Sequence, residues 1–196
     1  MPKCRYCKKK FESFSSLDRF CSVEHAMAYL ATPEGVEKHK KVKAKMNRER
    51  RTAQKEALKT RSQWIKDLQR AFNEFIRLRD SEQPCISCDV TNEELAEKWK
   101  GGKWDAGHYR SVGSAPHLRF TENNCHKQCK KCNNYESGNH VEYRKRLIER
   151  IGMEALEKLE AEQEPLKITI DEIKERLKHY RAEVRRLKRE NEANAF

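Results

Sequence analysis

The chain has 196 residues, 36% hydrophobic and 38% charged, with a formal net charge of +12 and a pI near 9.3. That balance excludes one large apolar core and suits small modules joined by solvated helices. It ranks polyanions first among partners, nucleic acid ahead of an anionic membrane surface. No run approaches the roughly 20 apolar residues that span a bilayer, and MPKCRYCKKK lacks the apolar segment of a secretory signal. The expected setting is therefore a reducing cytosol, where eight cysteines in paired spacings read as metal ligands rather than disulfides.

Residues 1–33 form the first expected module. Cys4-x2-Cys7 is followed after thirteen residues by Cys21-x3-His25 at the start of a helix. Three thiolates and an imidazole make a closed tetrahedral zinc shell, which holds a fold and leaves no open position for chemistry. The fourth ligand is His25 or a water.

Residues 34–80 read as helix with one break. Between Lys38 and Arg61 there are eleven basic and two acidic residues, a net of +9. Lys40, Lys41, Lys43, Lys45, Arg48, Arg50 and Arg51 are the expected DNA-contacting residues of this stretch. Charge runs are often solvated faces, but one without balancing acids suits sequence-independent binding to phosphates. From Trp64 the pattern changes: Trp64, Ile65, Leu68, Ala71, Phe72, Phe75, Ile76 and Leu78 recur every three or four residues, as in an amphipathic helix.

Residues 81–152 open with SEQPC, which breaks the helix at Pro84. Cys85-x2-Cys88 and, forty residues on, Cys129-x2-Cys132 have the spacing of a four-thiolate zinc site. Cys125 is left over and reads as a small buried hydrophobe. A gap this long should carry a hairpin, with Trp99 and Trp104 bracketing a turn at Gly101-Gly102 and packing on the zinc module. Arg110 and Arg119 are placed to meet phosphate. VEYRKRLIERIG is a helix ending at Gly152, a C′ glycine. In residues 153–196, MEALEKLEAEQ is helical to Pro165. Ile170, Ile173, Leu177, Tyr180, Val184 and Leu187 then form a stripe that can pack on the protein or on a second copy. The two cysteine clusters are not copies of one another.

The order KWDAGHYRSVG, then LRFTENNCHKQCKKCNN, puts a histidine on a strand, an asparagine five residues before a Cys-x2-Cys and an asparagine directly after it. This resembles the HNH (ββα-metal) nucleases in the zinc-stapled form of phage endonuclease VII. The wider arrangement covers nearly the whole chain: N-terminal cysteines, basic helix, Cys-x2-Cys, DAGHY, APHLRF, N-x-H-x-Q-C-x2-C-N and the YRKRLIERIG helix. It is similar to the NinG (Rap) family of lambdoid phage recombination proteins, most specifically over residues 85–152. The resemblance implies an α+β, mostly helical fold with a zinc-stapled ββα-metal core. It also implies metal-dependent cleavage of branched recombination intermediates, Holliday junctions and D-loops, in the cytoplasm of a bacterial host. Other phage recombination proteins are implied as partners.

Such chemistry needs an activated water and a cation that offsets phosphate charge. A neutral histidine takes the proton, and Mg²⁺ or Mn²⁺ held by one or two oxygens clamps the phosphate. On the family pattern His108 is the base and Asn133 a metal ligand. Asp105 is a second candidate ligand, Asn124 fixes His108 through its backbone or ring, and Asn134 caps a helix. One departure is plain: many HNH sites place the carboxylate directly before the base, where Gly107 stands. A regular strand sends Asp105 and His108 to opposite faces, and a bulge at Gly107 would realign them. Alternatively His108 is a metal ligand and His126 or His117 the base. His126 otherwise supports the zinc or meets phosphate. His117 otherwise caps a turn, and His39, His140 and His179 are solvated.

Two rival functions remain: a non-catalytic zinc protein that binds DNA or RNA as an accessory factor, and a scaffold whose C-terminal stripe recruits a partner helix. Symmetric cutting of a junction would favour a homodimer through the last helix.

Overall fold

The computed structural model describes residues 1–16, 18–98, 104–161 and 167–194. Trp99, Gly101, Gly102 and Pro165, to which the sequence assigned turn and stop roles, lie outside them. The chain forms two compact units, Met1–Lys59 and Thr60–Phe196. The boundary divides the 34–80 segment at its break, so the basic helix belongs to the first unit and the amphipathic helix to the second.

In the first unit, Lys3 and Lys10 bridge in antiparallel fashion around the first cysteine pair. Two helices follow, α1 (Val23–Ala31) and α2 (Pro33–Ala57). Ser22 caps α1 by accepting from the His25 N–H, and Thr32 caps α2 by accepting from Gly35. After Gly35, every residue of α2 is exposed. A helix polar all round has no face to bury, which is what the missing apolar stripe of residues 38–61 implies.

The second unit opens with α3 (Arg61–Arg79), started by a capping box between Thr60 and Gln63. A short helix, α4 (Asn92–Lys98), precedes two antiparallel strands, β1 (Trp104–His108) and β2 (Cys125–Cys129). The pairing runs without interruption from Trp104↔Cys129 to His108↔Cys125, so no bulge forms at Gly107. A wide helical turn over Lys131–Tyr135 leads to α5 (His140–Ile151), α6 (Met153–Glu160) and α7 (Ile170–Asn194). Gly152 ends α5 at φ +81°, with its N–H donated to Ile148.

Two apolar clusters and a cysteine cluster hold this unit. Trp64, Leu68, Phe72, Phe75 and Ile76 of α3 pack against Ile173, Leu177, Tyr180 and Val184 of α7 and against Cys125 of β2. The last helix thus spends its apolar stripe inside the chain. Of the two alternatives the stripe offered, packing on the protein is the one seen, with the apolar side chains of α7 covered by α3. On the other side of the sheet, Tyr143 and Leu147 of α5 pack with Ile86, Leu118, Leu156 and Leu159. β2 is buried along its whole length, charged and polar residues included. Among the described residues, no helix is long and apolar enough to cross a membrane.

Candidate metal and catalytic centre

Each cysteine cluster closes on itself. Ligand atoms of Cys4, Cys7, Cys21 and His25 lie within 4.8 Å of one another, as do those of Cys85, Cys88, Cys129 and Cys132. Thiol-rich quartets of this size are the donor sets of tetrahedral zinc, and both fit it. The first arms of the two cages share one backbone form. In each, the residue after the second cysteine is left-handed, Lys8 at φ +62° and Asp89 at +56°. In each, that residue's N–H returns to the first cysteine's carbonyl, Lys8 to Cys4 at 2.9 Å and Asp89 to Cys85 at 3.1 Å. The second arms differ: Cys21 and His25 start a helix, whereas Cys129 ends β2 and Cys132 lies in the wide turn. Backbone N–H groups also point at sulfur, from Cys129 to Cys85 Sγ at 3.3 Å and from Cys132 to Cys129 Sγ at 3.5 Å. The Cys85 thiol is held down at about 5, chiefly by the Cys129 thiol hydrogen bond and then by backbone donors. It is a ready thiolate, as a metal ligand must be.

The uninterrupted register fixes which side chains share a face. Asp105, Gly107, His126 and Gln128 lie on the face toward Tyr143 of α5; Ala106, His108 and Cys125 lie on the face toward α3. The realignment that a bulge would have given Asp105 and His108 is therefore absent. On the first face, Asp105 Oδ2 accepts from Asn133 Nδ2 at 3.0 Å and from Asn134 Nδ2 at 3.1 Å. The N-cap role expected of Asn134 is corrected. The next helix starts only at His140, and Asn134 turns to the carboxylate because the wide turn puts both asparagines on one side.

On the opposite face, His108 Nε2 meets the Arg119 carbonyl oxygen at 2.9 Å, and Nδ1 faces Cys125 Sγ at 3.8 Å. Burial holds the His108 pKa below its usual 6.5. Asn124 is fully buried, but it does not touch His108 as expected. Its Oδ1 accepts from the Arg110 N–H at 2.8 Å, and its Nδ2 donates to the carbonyls of Arg110 at 3.0 Å and Leu118 at 3.2 Å. It fixes the loop from both ends, next to the Arg119 carbonyl that faces the histidine.

His126 is buried beside the Tyr143 hydroxyl at 3.3 Å, and burial pushes its pKa down to about 3. A ring so enclosed cannot reach solvent or phosphate; it pins α5 to the sheet. The phosphate role sketched for Arg110 is also corrected. Its Nη1 donates to the carbonyls of Leu159, Glu160 and Ala161, capping α6, because the loop that Asn124 grips places it against that helix end. Arg119 donates Nε to Gln69 at 2.6 Å and lies over the Phe120 ring.

The sequence did not single out Gln128 or the buried ions under β2. Lys127 donates to Ser81 and Asn92, and its N–H goes to Asp80, which is also gripped by Arg79. Burial alone would raise the Asp80 pKa, but the Arg79 hydrogen bonds and charge prevail and lower it. The signal for Gln128 was its place in HKQC, one strand residue before a cage cysteine and, once paired, opposite Asp105.

On the Asp105 face one carboxylate lies beside the amides of Asn133 and Asn134, each of which presents Nδ2 to it. An amide turned over would offer its oxygen to a hard cation such as Mg²⁺ or Mn²⁺. Gln128 Oε1 is buried on that face with no hydrogen-bond partner.

The comparisons with known proteins agree on one family. The family model described as bacteriophage lambda NinG protein matches residues 1–191. The protein ninG of Escherichia phage 933W is 40% identical over 179 residues, 87% of this chain and 85% of its own length. That of Enterobacteria phage H19B is 41% identical over 181 residues, 88% and 86%. The protein ninG of Escherichia phage lambda is 50% identical over 118 residues, 60% of this chain and 54% of its own. No solved structure matches the chain.

The chain belongs to the NinG family.

Proposed function

We propose that this NinG-family chain is a metal-dependent endonuclease that cleaves branched DNA, with an HNH-like core between its β1–β2 pair and the turn after Cys132. The observation that carries the reading is the convergence of Asp105 and Asn133 at 3.0 Å across that unit, braced by a four-cysteine cage. Asp105 and Asn133 would hold Mg²⁺ or Mn²⁺, which when bound offsets charge on the phosphate and the leaving oxygen.

The chain's own residues do the rest. A carbonyl only accepts, so the Arg119 carbonyl requires the hydrogen of neutral His108 to sit on Nε2. Nδ1 is then the nitrogen left to accept a proton from water, and its present neighbour is Cys125 Sγ at 3.8 Å. The same carbonyl stabilises the imidazolium that results. Because Asp105 and His108 lie on opposite faces, the phosphodiester must cross the end of β1, where His108 closes the strand. The exposed cations of α2 supply sequence-independent hold on phosphates, which suits an enzyme that reads branch shape. The substrate class rests on the family resemblance together with that charge.

The test is cleavage of a labelled four-way junction and a matched linear duplex by wild type and His108→Ala, in Mg²⁺, Mn²⁺ or EDTA. Metal-dependent cutting of the junction alone, abolished in the variant while binding persists, is the expected result. Tight binding without cutting in any metal would replace this reading with that of an accessory DNA-binding protein.

A further inference from the structure

Gly107 stands where many HNH sites have a carboxylate, and something else occupies the space. A Cβ built on Gly107 would lie 2.0 Å from Gln128 Oε1. Gln128 is fully buried, and Oε1 has no hydrogen-bond partner. The orientation of the amide is not free. Nε2 donates to the Gly138 carbonyl and to Ser87 Oγ, each at 2.7 Å. A carbonyl oxygen cannot donate, so turning the amide over would set Gln128 Oε1 against the Gly138 carbonyl oxygen, two acceptors face to face. Oε1 is therefore held over Gly107, on the same face as Asp105, and Asp105 is the residue directly opposite Gln128 in the register. Leaving a buried acceptor unpaired costs about 1–3 kcal/mol, and such an atom in a native structure calls for a partner.

We propose that Gln128 Oε1 is a third oxygen of the cation site, a neutral substitute for the carboxylate that Gly107 cannot carry. The proposal rests on the endonuclease reading above. The cation would then meet one carboxylate, from Asp105, the amide oxygen of Gln128 and, once its amide turns from the present Nδ2 contact, the oxygen of Asn133 in the wide turn. A set with a single negative charge binds a divalent ion weakly by itself and leaves much of the hold to the DNA phosphate. Gly107 is the complement of Gln128: any side chain there would displace the amide.

Mn²⁺ binding to the zinc-loaded full chain, read by loss of the free-ion EPR signal, tests this apart from catalysis. Asp105→Asn should abolish the site. Gln128→Met, which removes Oε1, should weaken Mn²⁺ roughly tenfold. Gly107→Ala keeps every donor of Gln128 but moves Oε1, and should weaken Mn²⁺ roughly tenfold. Zinc content and melting temperature show that each variant is folded. If Asp105→Asn loses Mn²⁺ while folded Gly107→Ala and Gln128→Met bind like wild type, Gln128 is no ligand and the endonuclease reading stands. If wild type and Asp105→Asn bind alike, there is no cation at this face, and both are overturned.

Discussion

His108 Nε2 lies 2.9 Å from the backbone carbonyl oxygen of Arg119, and that hydrogen bond decides which ring nitrogen can accept a proton. Burial also holds the ring's pKa below 6.5. Protonation that disables the base therefore happens only on the acid side. Single-turnover cleavage should rise with pH through a value below 6.5 and be flat by about pH 7. A profile still rising steeply above neutrality would remove His108 from this role.

Asn124 acts on that hydrogen bond at one remove, through the Leu118 and Arg110 backbones. Asn124→Ala unpairs three buried backbone groups, and each is worth about 1–3 kcal/mol at most. Cleavage should fall by about 10²-fold with junction affinity little changed. Asn124→Ala with unaltered cleavage in a folded protein would show that the loop does not position the histidine.

The two cysteine cages should load two zinc ions per chain, one in each compact unit. Cys132→Ser should cost one zinc and lower the melting transition of the Thr60–Phe196 unit. Cys7→Ala should cost the other and leave that transition in place. Metal analysis with calorimetry separates the outcomes. A shared loss of both metals from either variant would contradict independent cages.

Some of this was legible from residues alone. Cys-x2-Cys spacing predicts the cages because two thiolates two apart can only converge in a tight turn, and the left-handed Lys8 and Asp89 close that turn in both. The stripe of α7 was equally plain, but periodicity shows that a face is buried and not what buries it. The strand CHKQC was the hard case. Its residues are buried on both faces, between α3 and Tyr143 of α5, so alternation of polar and apolar residues is erased. Lys127 survives there because Asp80, Ser81 and Asn92, far away in sequence, satisfy it. Arg110 looked like a phosphate-binding residue because nothing local reveals that α6 ends beside it.

Lys41 and Lys45 of α2 pair with Glu37 and Glu49 one turn away, at 3.5 and 3.9 Å. Exposed pairs of this kind contribute little and give way to phosphate. Changing Lys40, Lys43 and Arg50 to glutamine should weaken junction binding and shrink the salt slope by about 0.9 for each phosphate that is no longer neutralised. Titrations at several salt concentrations measure it, and an unchanged slope would mean that α2 does not touch DNA.

His126 supplies a second pH signature, in stability. Its folded pKa, pushed down by burial to about 3, lies below the ordinary 6.5. Between these values the unfolded chain binds the proton and the folded chain does not, so stability falls as pH drops through that window. Zinc release also grows as thiolates protonate, so the comparison is with His126→Gln, which cannot titrate. From pH 7 to pH 5.5 in urea unfolding, wild type should lose more stability than the variant. Equal losses would mean that His126 is not kept neutral by the fold.

The partnership of Arg61–Arg79 with Ile170–Asn194 also sets a schedule for synthesis. On the ribosome, the first 59 residues can close their cage and extend their basic helix through interactions that are all local. The unit that follows cannot bury α3 until α7 has emerged, roughly a hundred residues later in translation, and such distant pairings are slow to form. A chain interrupted before α7 would carry the basic helix with an unfinished core, so the nascent protein completes its charged arm well before its second unit can close.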